Sequence, residues 1–166
     1  MTNANTHQFI SDESVSGQEF RTLRNNIALQ VSRDDVPVLL MTSATSGEGK
    51  SYVAANLAAS FATEGKRTLL VEGNLHRPIL ASVFDLKAQD GLASLVDVAL
   101  ESVDVDKLVV DTKINRLAVA VAGESLADPA QLLASAAFKE FLQQVKTKFD
   151  IIVIDGPAMA DASEAG

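Results

Sequence analysis

The chain has 166 residues, 47% of them apolar, with a net charge of −8, a pI near 4.7 and no cysteine. That length suits one domain with a real core. The acidic balance argues against sequence-independent nucleic-acid binding, which needs a basic face. The lack of cysteine excludes disulfides and thiolate metal sites and fits a reducing compartment.

The start, Met1 to His7, is polar and lacks the apolar centre of a signal peptide. Residues 1–16 read as a flexible tail and residues 17–166 as the folded domain. Between Gly17 and Val31, Phe20, Leu23, Ile27 and Val31 recur at helical spacing, and Arg21 and Arg24 fall on another face. Val38–Thr42 is a short apolar run, read as a buried parallel strand. A glycine-rich loop follows, then a helical stripe of Val53, Ala54, Leu57, Ala58, Phe61 and Ala62, closed near Gly65. Thr68–Glu72 is the second strand. Residues 73–90 read as a loop and a short helix started near Pro78, and Gly91–Leu100 as a further helix. Leu117–Ala122 is a third strand. Asp128-Pro129 starts a long helix that runs to Lys148. Ile151–Asp155 is the fourth and most apolar strand, ended by Gly156-Pro157. No run approaches the length of a membrane span. Strands alternating with helices predict an α/β fold with a mostly parallel central sheet covered on both faces, a three-layer sandwich.

The loop carries the clearest chemistry. Ala44-x4-Gly49-Lys50-Ser51 fits the P-loop formula with Ala at its first position, between a strand and an amphipathic helix as the motif requires. Gly47 and Gly49 let consecutive backbone N–H groups turn inward around an anion. Ser46, Gly47, Glu48, Gly49, Lys50, Ser51 and Tyr52 are therefore the candidate nucleotide-binding residues. Lys50 can reach the β- and γ-phosphates of ATP, and the Ser51 hydroxyl can ligate Mg²⁺. The alternative, a glycine turn beside a surface lysine, does not explain the placement.

Magnesium-dependent phosphoryl transfer also needs carboxylates near the metal. Asp155 ends its strand in the Walker B manner, at the sheet edge where open α/β sheets bind ligands. Glu72 ends the second strand at the same edge and is a candidate base or metal-shell group, beside the plainer reading of a solvated strand-end acid. Asn74 cannot act as a base. Arg77 could pair with a phosphate or with Glu72, or be a surface arginine. Neither His7 nor His76 reads as a metal ligand.

Several segments in order resemble the bacterial tyrosine kinases of capsule and exopolysaccharide synthesis, the BY-kinases. They are Phe20–Ile27, Thr42–Ser51, Leu69–Pro78, Asp128–Ser135 and Phe149–Pro157. Partitioning and septum-placing ATPases share single pieces, but usually carry an extra lysine where Ala44, Thr45 and Ser46 stand. The resemblance implies a cytoplasmic domain that binds Mg·ATP and phosphorylates tyrosines in a neighbouring subunit. It also implies rings, and attachment at the inner face of the membrane through a membrane-embedded polysaccharide co-polymerase or activator. A Glu-x-x-Arg-x-x-Arg helix pattern used in ring assembly is here Gln18-x-x-Arg21-x-x-Arg24.

The departures are specific. The family's Asp-x-Asp is here Glu72-Gly73-Asn74, and misplacing a catalytic group by about 1 Å can cost on the order of a hundredfold in rate. The only tyrosine is Tyr52, a poor phosphoacceptor position. The family continues for another strand-and-helix stretch beyond the point where this chain stops, which implies a P-loop fold shortened at its C-terminal end, either a truncated piece or a natural variant. Three readings follow: an ATP-dependent protein-tyrosine kinase using Lys50, Glu72 and Asp155; a catalytically impaired pseudokinase or regulatory partner; and a partitioning-type P-loop ATPase.

Overall fold

A computed structural model describes residues 15–31, 34–87, 90–97, 99, 103–124 and 129–160. The expectation of a flexible tail falls on residues outside these, apart from Val15 and Ser16, which open the first helix. The element order is α1 (Val15–Gln30), β1 (Val38–Met41), α2 (Lys50–Thr63), β2 (Thr68–Glu72), α3 (Leu80–Val83), a 3-10 turn (Leu92–Asp97), α4 (Val105–Leu108), β3 (Val109–Asp111), β4 (Leu117–Ala120), α5 (Pro129–Ala134), α6 (Ala136–Lys146) and β5 (Ile151–Asp155).

The strands form one sheet in the order β1-β5-β2-β4-β3, parallel except for β3. Every residue of β2, β4 and β5 is buried, because helices cover both sheet faces. Side-chain alternation divides the core in two. Leu69, Val71, Ala118, Ala120, Ile152 and Ile154 face α4, α5 and α6. Leu70, Val119 and Val153 face α2 and α3. Ile151 joins Leu57 and Phe61 of α2, against which Phe20 and Ile27 of α1 pack. This is the expected three-layer sandwich.

Four local readings change. The long helix from 129 to 148 is broken at Ser135, whose extended backbone lets its hydroxyl oxygen accept from Phe138 N at 3.1 Å and cap α6. The expected start at Asp128 lies outside the described residues. Of the helix expected over 91–100, residues 98 and 100 lie outside the described ones and Leu92–Asp97 is a 3-10 turn, because Leu92 N and Ala93 N donate to Val121 O (2.9 Å) and Ala122 O (3.0 Å). That pairing also ends β4 at Ala120, two residues early. The segment α4–β3, which the sequence pattern did not reveal, places three residues antiparallel on β4.

The pattern Gln18-x-x-Arg21-x-x-Arg24 is on α1, but Arg24 is buried against α2 of its own chain. Its Nη1 donates to Ser60 O at 3.0 Å and to Ser60 Oγ at 3.2 Å. Its Nε lies 3.0 Å from Glu64 Oε2 as an ion pair without hydrogen-bond alignment. The resemblance implies an assembly role for this arginine; here its guanidinium is engaged within the chain, holding α1 to α2.

Among the described residues, no helix is long and apolar enough to cross a membrane.

Candidate nucleotide site

The site forms where β1 and β2 stand on either side of β5. Met41 and Glu72 are both register partners of Asp155, so the loop leaving β1, the end of β2 and the end of β5 converge at the carboxyl edge of the sheet. This is a topological switch point, the crevice in which open α/β sheets bind ligands.

The loop runs from Thr42 to Gly49 and enters α2 at Lys50. Gly47 and Gly49 have φ of 85° and 80°, a left-handed backbone that a side chain would strain. Gly49 is the cap residue of α2, so the positive end of a 14-residue helix points into the loop. Ser46 is half-buried, as are Lys50 and Ser51, while Gly47, Glu48 and Gly49 are exposed. Tyr52 is 47% exposed on the first turn of α2. The start of the loop is pinned to the segment after β5: Met159 N donates to Ser43 O at 2.9 Å and Ala160 N to Ala44 O at 3.2 Å.

Glu48 adds a contact that the sequence did not reveal. Its Oε2 accepts from Ala44 N at 3.1 Å and more loosely from Thr45 N at 3.4 Å, closing the loop across its own mouth. An acid in a loop has no periodic signature, so only the fold shows this brace.

Asp155 is 1% exposed. The Ser51 hydroxyl hydrogen-bonds one carboxylate oxygen, and Lys50 acts on it electrostatically. The other oxygen, Oδ1, is buried with no hydrogen-bond partner. Burial raises the Asp155 pKa, while Ser51 and Lys50 oppose the rise. An unpartnered buried carboxylate oxygen beside a serine hydroxyl fits Mg²⁺, a hard oxygen-seeking cation that takes one or two protein ligands and completes its shell with water and phosphate. Among the described residues no cluster of three His, Cys, Asp or Glu forms a closed metal cage.

A stability test follows from Asp155. A carboxyl whose folded pKa lies above its unfolded value binds more protons when folded. Stability therefore falls as pH rises from the ordinary carboxylate range through that raised value. Asp155→Asn keeps an oxygen for Ser51 and removes the buried charge. It is expected to melt a few degrees higher than the wild type at pH 7 without nucleotide, with the gain shrinking toward pH 4. A variant less stable than the wild type at pH 7 contradicts this.

Glu72, expected as base or metal-shell group, has both oxygens engaged inside the protein. Oε1 accepts from Ile79 N at 2.5 Å and Leu80 N at 2.7 Å, and Oε2 from Ala122 N at 2.9 Å. Burial raises its pKa; the three N–H groups pull it down, and the nearby Asp155 charge adds to the rise. Asn74 is buried, while His76 and Arg77 are exposed at the tip of the segment.

The fold and the loop together define a P-loop nucleotide-binding domain of the NTPase type. The chain belongs to the AAA domain family, whose model matches residues 37–163. Its relatives are bacterial tyrosine-protein kinases. It is 34% identical over 157 residues to the tyrosine-protein kinase YwqD of Bacillus subtilis, covering 93% of this chain and 65% of YwqD. It is 30% identical over 153 residues to the putative tyrosine-protein kinase CapB of Staphylococcus aureus, covering 92% of this chain and 66% of CapB. The crystal structure of the chimerical protein CapA2B2 superposes with a TM-score of 0.84 at 28% identity, over 99% of this chain and 71% of that one. The chain thus spans about two thirds of the length of these curated relatives.

Proposed function

We propose that residues 17–166 form the Mg·ATP-binding part of a cytoplasmic protein-tyrosine kinase that regulates capsule or exopolysaccharide synthesis and export. The observation that carries this reading is the pairing of a formed phosphate loop with the buried, unpartnered Oδ1 of Asp155 at the switch point of the sheet. The kinase names of the relatives support it over the partitioning-ATPase alternative.

In this reading the amides of Gly47 to Ser51 surround the phosphates and Lys50 sets its ammonium on the β- and γ-oxygens. Ser51 and Asp155 would hold Mg²⁺, which would supply charge neutralisation to the phosphates. Tyr52 adds its backbone at the helix start. The kinase works at the inner face of the membrane through a membrane-embedded co-polymerase or activator, and assembles with copies of itself. Tyr52, on the first turn of α2 beside the phosphate loop, is a poor acceptor position; the acceptors are tyrosines of a neighbouring subunit, as the family resemblance implies.

Titration calorimetry with Mg·ATP, followed by a tyrosine-copolymer phosphorylation assay, tests this. Micromolar binding and phosphotyrosine formation are expected. A chain that binds no nucleotide overturns the reading.

A further inference from the structure

We propose that Glu72 serves the nucleotide site as a positioning clamp, three backbone amides on one carboxylate, and does not take the proton in phosphoryl transfer. The inference rests on the kinase reading for its transfer assay, and on geometry alone for the clamp itself.

The three amides come from two separate places. Ile79 and Leu80 open α3, a four-residue helix that lacks a side-chain cap of its own. Glu72, seven and eight residues earlier, supplies the acceptor those orphan N–H groups need. Ala122 belongs to the turn after β4, fifty residues later. One carboxylate therefore ties together the end of β2, the start of α3 and the exit of β4. The segment between Glu72 and Ile79 is fastened at both ends, because Gly73 N also donates to Asp155 O at 2.8 Å. There is little room to loosen it: a Cβ on Gly73 would sit 3.2 Å from both Asp155 O and Ile154 Cγ2. The clamp thus fixes the backbone beside Asp155, the acid left open to the metal.

Side-chain length makes this role specific. Aspartate is one methylene shorter, so its carboxylate draws back from the amides of α3 and the β4 exit. Glutamine keeps the length. Its oxygen can retain Ile79 and Leu80, while its NH₂ opposes the Ala122 N–H. A base and a clamp therefore predict opposite orders for the two substitutions. If Glu72 were the base, Glu72→Asp, which retains a carboxylate, would transfer faster than Glu72→Gln, which cannot take a proton.

The experiment compares wild type, Glu72→Gln and Glu72→Asp in the full 166-residue chain, by amide hydrogen exchange without nucleotide, Mg·ATP calorimetry and tyrosine-copolymer phosphorylation. In the wild type the amides of Ile79, Leu80 and Ala122 are expected to be protected. Glu72→Gln should expose Ala122 alone, bind Mg·ATP within about threefold of wild type and keep its transfer rate within about tenfold. Glu72→Asp should speed exchange at all three amides and weaken Mg·ATP binding at least about tenfold, raising KM more than it lowers kcat. Three results overturn the proposal. They are unprotected amides in the wild type, Glu72→Asp with unchanged exchange and affinity, and Glu72→Gln that binds normally but transfers nothing. If Glu72→Asp does not fold, the wild-type exchange pattern and Glu72→Gln decide. Absence of Mg·ATP binding in the wild type removes the kinase reading but leaves the clamp to be judged by exchange.

Discussion

Lys50→Ala and Lys50→Met abolish Mg·ATP binding in calorimetry, while the melting temperature stays within a few degrees of the wild type. Lys50 is the first residue of α2 and half-buried, so its truncation opens no core cavity. What it removes is the one side-chain cation of the loop. A hydrogen bond to a charged group contributes roughly 1.5–3 kcal/mol. Losing contacts to both β- and γ-phosphates therefore weakens binding by about a hundredfold or more. Methionine keeps most of the stem and isolates the charge. The backbone amides and the α2 dipole remain in both variants, so residual phosphate affinity measures their share. A Kd within about tenfold of wild type means that the loop holds its ligand some other way.

Gly91→Ala is expected to cause the largest loss of stability of any single methyl addition to a described glycine. The new Cβ would sit 2.2 Å from Gly123 N, 2.4 Å from Gly123 Cα and 2.5 Å from Ala122 C. All three are backbone atoms, so no side chain can swing aside. The crossing also carries the hydrogen bonds of Leu92 and Ala93 to Val121 and Ala122, and the Ala122 amide belongs to Glu72. Pushing the two segments apart breaks these contacts together. The expected cost exceeds about 3 kcal/mol, at the upper end for overpacking. For a domain of this size that lowers Tm by roughly 10 °C. Chemical denaturation checks it, and a change below about 1 kcal/mol refutes the rigid crossing. Gly123→Ala should behave similarly, because Gly123 has φ of 78° and its Cβ would lie 2.7 Å from Gly91 N.

The four parallel strands were legible because each is a short apolar run bounded by a breaker; β2, β4 and β5 are buried as that pattern implies, whereas β1, expected to be buried, stands at the edge of the sheet with Val38 and Leu40 exposed. The phosphate loop was legible because its chemistry is local: glycines, lysine and serine at fixed offsets in one continuous segment. What escaped depends on distant partners. Val109–Asp111 is too short and too exposed on one side to show a period, and becomes a strand only because β4 lies beside it. Ser135 inside an apolar-periodic stretch looked tolerable within one helix; its hydroxyl instead stops one helix and starts the next. Glu72 was visible as an acid at the correct sheet edge. The amides that occupy it are seven, eight and fifty residues away and leave no trace in composition. Arg24 followed a family spacing, yet its surroundings are set by Ser60 on α2 and Glu64 at the α2 C-cap.

The strand order has a consequence for how the chain acquires its shape. β5 is the last strand among the described residues but lies between β1 and β2, which are not paired with one another. During synthesis β1 and β2 must wait for residues 151–155, more than eighty positions after β2 begins. Until then both carry unpaired edges rich in leucine and valine, a template for pairing with other chains. Long-range parallel pairing of this kind is slow to nucleate. A nascent chain stalled before Ile151 is therefore expected to be a substrate for chaperones, and release of β5 from the ribosome to be the step that commits the sheet.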